Sequence, residues 1–124
     1  MMQDLLHNAN AWLADQLHEH LAVDVVYGRD IEDVSVRATI GRTLLKLDDG
    51  YGGVRMEWTD RDFLIRAADL VLDGALVVPQ RGDRITEGPL EFSVLAPAAE
   101  PVWRWSDPHR QVLRIHTKFL GRVE

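Results

Sequence analysis

Val34-Ser35-Val36-Arg37-Ala38-Thr39-Ile40 decides how the chain is read. Val34, Val36, Ala38 and Ile40 alternate with Ser35, Arg37 and Thr39, the period-two pattern of a strand with one buried face. Leu44 to Leu47 continue it past Gly41, which is read as a bulge or bend. Asp48-Asp49-Gly50-Tyr51-Gly52-Gly53 follows, rich in residues that tolerate turn conformations. Val54, Met56 and Trp58 then alternate with Arg55, Glu57 and Thr59. The two runs predict a hairpin with a six-residue mobile tip.

The same grammar extends downstream. Asp60-Arg61-Asp62 breaks the run, Phe63-Leu64-Ile65 reads as a short buried strand, and Arg66 to Leu70 as one helical turn. Asp73-Gly74 and Gln80-Arg81-Gly82-Asp83 are turns, with Leu76-Val77-Val78-Pro79 extended between them. Arg84-Ile85-Thr86 and Glu91 to Leu95 are strands on either side of Gly88-Pro89. Pro97 to Pro101 is a connector. In the last strand Leu113, Ile115, Thr117 and Phe119 point one way and Arg114, His116 and Lys118 the other. Upstream, Leu5, Leu6, Ala9, Trp12, Leu13, Leu17 and Leu21 recur at three- and four-residue steps, predicting an amphipathic helix over about 4–21. Six or seven short strands after one helix predict a mainly β (α+β) fold, a small antiparallel β-barrel or sandwich over about 23–120 with the helix packed outside. No repeat or linker divides the chain, so 1–124 is one domain.

The composition excludes several functions. The chain has 124 residues, no cysteine and a net charge of -6. Zero cysteine removes disulfide scaffolds, Cys-ligated zinc, iron–sulfur clusters and thiol catalysis. The acidic balance argues against wrapping nucleic acid. The Met-Met-Gln-Asp start has no basic n-region before an apolar run, so no secretory signal is expected. No stretch reaches the length of a membrane span. Residues 1–33 alone carry seven acids and one base, and the remainder is nearly neutral. Arginine outnumbers lysine twelve to two, which reflects either genome composition or a supply of forked donors for protein contacts.

Chemistry-bearing motifs are scarce. His18 and His20 lie on different sides of the predicted helix, and no His-Glu-x-x-His spacing occurs, so no metal site is expected. Asp48/Asp49 and Asp60/Asp62 are paired carboxylates best explained as turn chemistry. No nucleophile elbow or phosphate loop is present, so neither catalytic residues nor a cofactor is expected. Arg81-Gly82-Asp83 reads as a tight turn. Trp103-Arg104-Trp105 places both indoles on one face, where they either close the core or form an interface. The candidate interface residues are therefore Asp15 and Glu19 on the helix, Gly50, Tyr51, Gly52 and Gly53 in the hairpin tip, Arg81, Gly82 and Asp83, and Trp103, Arg104 and Trp105.

Three segments carry a family resemblance: Asp62-Phe63-Leu64-Ile65, Asp69-Leu70-Val71-Leu72-Asp73-Gly74 and Pro79-Gln80-Arg81-Gly82-Asp83-Arg84-Ile85. Together with Glu91-Phe92-Ser93-Val94-Leu95 they resemble tailed-phage and prophage head–tail joining proteins, the head-completion or stopper group of the neck. The resemblance covers residues 34–96 in outline. It implies a non-enzymatic virion protein, a small β-barrel forming a homo-oligomeric ring between portal or adaptor and tail. DNA would be only cargo in its channel, and no membrane would be involved. Assembly would take place in the host cytoplasm and the mature location would be the virion neck. The tip at 48–53 is the candidate channel-closing loop. Tail-completion or terminator proteins are neighbouring readings. A barrel that binds an apolar ligand or peptide between helix and sheet is a different one. For a ring, the acidic helix end would meet the arginine-bearing C-terminal strands of a neighbour.

Overall fold

The computed structural model describes residues 22–122. The helix expected over 4–21, with Asp15 and Glu19, lies outside the described residues. The strands are β1 (Val23–Arg29), β2 (Glu32–Gly41), β3 (Leu44–Asp48), β4 (Val54–Trp58), β5 (Arg61–Arg66), β6 (Val71–Leu72), β7 (Ala75–Leu76), β8 (Arg84–Glu87), β9 (Leu90–Val94), β10 (Trp103–Trp105) and β11 (Val112–Arg122). The helical turn expected near residue 66 is a single 3-10 turn, Ala67–Asp69.

The main sheet runs β10-β11-β5-β2-β1-β8-β9. β11 closes it. Residues 112–117 pair with β5, and residues 117–122 pair with β9. Six strands, β11-β5-β2-β1-β8-β9, thus form a closed antiparallel barrel, not a sandwich. A register shift between Phe119 and Gly121 bends β11 as it passes to β9. Ile115 pairs with Phe63 on one edge and with Trp103 on the other, so β10 precedes β9 along the same edge of β11. Closure pairs the two end strands β11 and β9 with each other, so the barrel has no free end strand.

The alternation that predicted β2 is realised at its centre. Val36 and Ala38 are buried, Val34 packs partly against the core, and Ile40 is exposed where the strand leaves the barrel. Val25, Tyr27, Phe63, Ile65, Ile85, Phe92, Val94, Leu113 and Ile115 fill the interior with them. Phe63 and Phe92 meet edge to face at 5.1 Å between centroids, a geometry aromatic quadrupoles favour.

One sequence expectation is corrected. The hairpin does not join residues 34–47 to 54–58. β2 has β1 on one edge and β5 on the other. With both edges hydrogen-bonded it has none left for β4. Only β3 pairs with β4, with Leu44 opposite Trp58 and Asp48 opposite Val54, and the tip is the five residues between them. His116 keeps the polar face of the last strand, across from Asp62 on the side away from the core, and is buried there at 3% exposure among polar partners. Asp73-Gly74 turns as expected, both with positive φ, between β6 and β7.

Candidate functional site

The β3–β4 hairpin forms its own two-stranded sheet, outside the barrel. Among the described strands its packing is almost entirely between its own two halves. Its pairing places Leu44, Trp58, Met56 and Val54 on one face with Lys46 and Asp48, and the four apolar side chains are exposed. The tip is held by side-chain turns. Asp48 accepts from the Gly50 amide, and Asp49 accepts from the amides of Tyr51 and Gly53. Gly50 and Gly52 have positive φ, and Tyr51 between them is 95% exposed. The candidate tip residues thus come together at the end of an apolar-faced arm.

The base of this arm is clasped by one buried carboxylate. Asp62, on β5, accepts from the hydroxyls of Thr43 and Thr59, the residues where the hairpin leaves and re-enters the barrel. Arg114 Nη1 donates to it at 2.9 Å, and His116 Nδ1 lies 2.8 Å away. Two backbone-directed bonds complete the clasp. The Thr59 amide donates to the Thr43 carbonyl at 2.9 Å, and the Thr43 amide to the Thr59 hydroxyl at 3.0 Å. Burial alone would raise the Asp62 pKa, but hydrogen bonds from His116, Thr43 and Thr59 outweigh it and bring it down to about 2. Asp62 is therefore ionised at neutral pH. Gly41 makes room for this arrangement, since a Cβ there would lie 3.2 Å from Arg114 Nη1.

A second buried carboxylate organises the Pro79–Asp83 turn. Asp83 accepts from the Tyr27 hydroxyl, from Arg29 Nε at 3.0 Å and Nη2 at 2.8 Å, and from the Gln80 amide at 2.9 Å. Burial opposes its charge, but hydrogen bonds from Arg29, Tyr27 and the Gln80 amide hold its pKa below the usual carboxylate range. Burial, and then the bond to Asp83, push the Tyr27 hydroxyl far above its usual pKa. Gly82 takes φ +93, which an L side chain rarely adopts. Of the candidate triplet, Asp83 is thus structural, while Arg81 and Gly82 are exposed on the turn.

Trp103 and Trp105 share a face, as their spacing predicts, and pack edge to face at 5.3 Å. Both are half-buried against the core while Arg104 is exposed. Beside the arm, Trp58, Thr59, Asp60, Arg81, Pro97 and Lys118 line a hollow of about 280 Å³, with charged and apolar walls mixed. Among the described residues, no group of three His, Asp or Glu side chains is arranged to hold a metal ion. No described helix is long and apolar enough to cross a membrane.

The clasp was not visible in the sequence. Its members are polar residues on three separate stretches of chain, and only pairing of β5 with both β2 and β11 brings them together. One local signal existed. Arg114 and His116 alternate with the apolar positions of the clearest strand, and two such donors on one face call for an acceptor on the facing strand.

No curated protein matches the chain significantly. A family model described as phage head-tail joining protein matches residues 3–124. That match spans nearly the entire sequence, including the three segments that carry the resemblance, and the family is one of structural proteins. The chain belongs to the phage head-tail joining protein family.

Proposed function

We propose that the chain is a connector subunit of the neck, working without catalysis as a ring between the portal or adaptor and the tail. The observation that carries this reading is the clasped β3–β4 arm. A closed barrel supplies a rigid body, and the arm offers an apolar face and a glycine-rich tip away from it. Such an arm suits closure of a channel or engagement of the next ring, because a few tip residues can reorient while the base stays fixed. The tip residues Gly50, Tyr51, Gly52 and Gly53 are the contact or closing element. Arg81, Gly82, Trp103, Arg104 and Trp105 are candidate contacts of the barrel. DNA is cargo, the virion neck is the final location, and assembly takes place in the host cytoplasm.

Self-association would join acidic residues before residue 34 to an arginine-bearing surface of the next copy. A heterologous contact of this kind closes into a ring when its rotation closes. The test uses DNA-filled heads that lack this protein. Wild-type protein restores tail joining and DNA retention. A variant with Gly50-Tyr51-Gly52 replaced by Ser-Ser-Ser should bind the heads but lose one of the two activities. Full activity of that variant would remove the arm from the mechanism.

A further inference from the structure

We infer that the cleft at the junction of β2 and β3 is a carboxylate-binding site, filled by the β1–β2 turn of a second copy of this chain. The inference deepens the ring reading and rests on it. Arg42, Thr43, Leu44, Arg104, Trp105, Ser106 and Arg114 line the cleft. Arg104 Nη2 and Arg114 Nη1 both approach the Thr43 hydroxyl oxygen, at 3.5 and 3.3 Å. Arg42 lies over the Trp58 ring at 5.2 Å and donates to the Thr59 carbonyl. Three guanidiniums therefore converge where one carboxylate, Asp62, is available. It pairs with Arg114, whose side chain is 23% exposed. Neither Arg42 nor Arg104 has a carboxylate partner among the described residues. Asp107 nearby is engaged by the amides of Gln111 and Val112. Guanidiniums held together without compensating charge favour an incoming carboxylate, which they can bind through paired N–H donors.

The other end of β2 carries the complement. Asp30 and Ile31 form a two-residue turn between β1 and β2, with Arg29 opposite Glu32. Ile31 is 94% exposed at its tip, flanked by Asp30, Glu32 and Asp33. None of these three carboxylates has a hydrogen bond or ion-pair partner among the described residues. Leu44 and Trp105 in the cleft offer apolar surface for Ile31, and the guanidiniums offer partners for the acids. At about 3.3 Å per residue, the ten residues of β2 separate knob from cleft by roughly 30 Å. They cannot meet within one molecule, so the contact runs head to tail between copies, the heterologous arrangement that builds rings. The acidic balance before residue 34 thereby acquires a specific seat.

Sedimentation velocity at low salt tests the contact with a charge swap. Arg104→Glu alone and Glu32→Arg/Asp33→Arg alone should each weaken self-association by about tenfold or more. An equimolar mixture of the two should restore it, since every junction is again complementary. All the changed residues lie at the surface, and unchanged circular dichroism verifies folding. The chain has no cysteine, so Ile31→Cys mixed with Ser106→Cys provides an independent readout, a disulfide-linked heterodimer. Assembly of both reversal variants at wild-type strength would overturn the contact and leave the ring reading standing. A wild-type protein that does not self-associate, together with no cross-link between the two cysteine variants, would overturn the contact, with the ring reading judged separately on heads. Weakening by Asp15→Lys/Glu19→Lys but not by Glu32→Arg/Asp33→Arg would move the acidic partner elsewhere and overturn it. So would binding of a 20-base-pair DNA duplex that Arg104→Glu abolishes, without self-association, since that would assign the cleft to phosphate.

Discussion

Replacing Asp62 by asparagine removes the one negative charge on which Thr43, Thr59, Arg114 and His116 converge, while keeping its shape. The magnitude follows from its pKa, which drops from 3.8 to about 2 on folding. At about 1.4 kcal/mol per pKa unit, the ionised group contributes about 2 kcal/mol of stability. The sign follows from the direction. A pKa depressed by folding gives stability that is fully present above pH 4 and is lost as pH falls toward 2. Asparagine removes that contribution and also turns an amide N–H₂ toward groups that donate. Loss of one partner from a fully buried pair costs about 3–5 kcal/mol. The partial exposure of Arg114 places the expected loss at the lower end, about 3 kcal/mol at pH 7, or on the order of 10 °C in Tm. Urea unfolding followed by tryptophan fluorescence measures it. Repeated from pH 7 to pH 2, the same experiment should give D62N a shallower acid slope than wild type, retaining the part owed to Asp83. A D62N protein within about 0.5 kcal/mol of wild type at pH 7, or with an unchanged acid slope, would refute the clasp as an energetic unit.

Tyr27→Phe deletes a donor to buried Asp83, and should cost about 1–2 kcal/mol in chemical denaturation at neutral pH, with a shallower loss in acid because the Asp83 pKa is then held down less. Gly41→Ala should crowd the Arg114 guanidinium, changing global stability by less than about 1 kcal/mol. Hydrogen exchange at the Thr43 and Thr59 amides should nevertheless accelerate, and unchanged protection there would disprove the close approach. Phe63→Ala removes a fully buried ring from the barrel centre, and thermal denaturation should report a loss of about 3–5 kcal/mol. Asp49→Ala frees the amides of Tyr51 and Gly53 in the tip. NMR order parameters should fall for residues 50–53 while the melting temperature of the barrel stays within a degree or two of wild type.

The elements of this fold were legible because each depends on neighbours a few positions away. Alternation at Val34–Ile40 and Leu113–Thr117 follows from the opposed side-chain directions of an extended backbone. Asp73-Gly74 and Gly88-Pro89 turn because of their own φ preferences. The shared face of Trp103 and Trp105 follows from period two. Family membership was legible for a related reason, since its signature is a run of short turns and strands.

Which strand takes which partner was decided only in three dimensions. Nothing near Gly41 states that β2 is already bonded on both edges, so the sequence made one hairpin of residues that the fold divides between barrel and arm. Burial of a polar residue likewise depends on what faces it. Asp62 and His116 are ordinary charged and polar letters until β5 and β11 pair and set them 2.8 Å apart beneath the base of the arm. The sequence alone determined the strands, the turns and the acidic weighting of residues 1–33. The tertiary structure decided the barrel closure, the separate arm, its carboxylate clasp and the two oppositely charged ends of β2. The first set rests on local backbone preference, and the second on pairings between residues far apart in the chain, which no local pattern encodes.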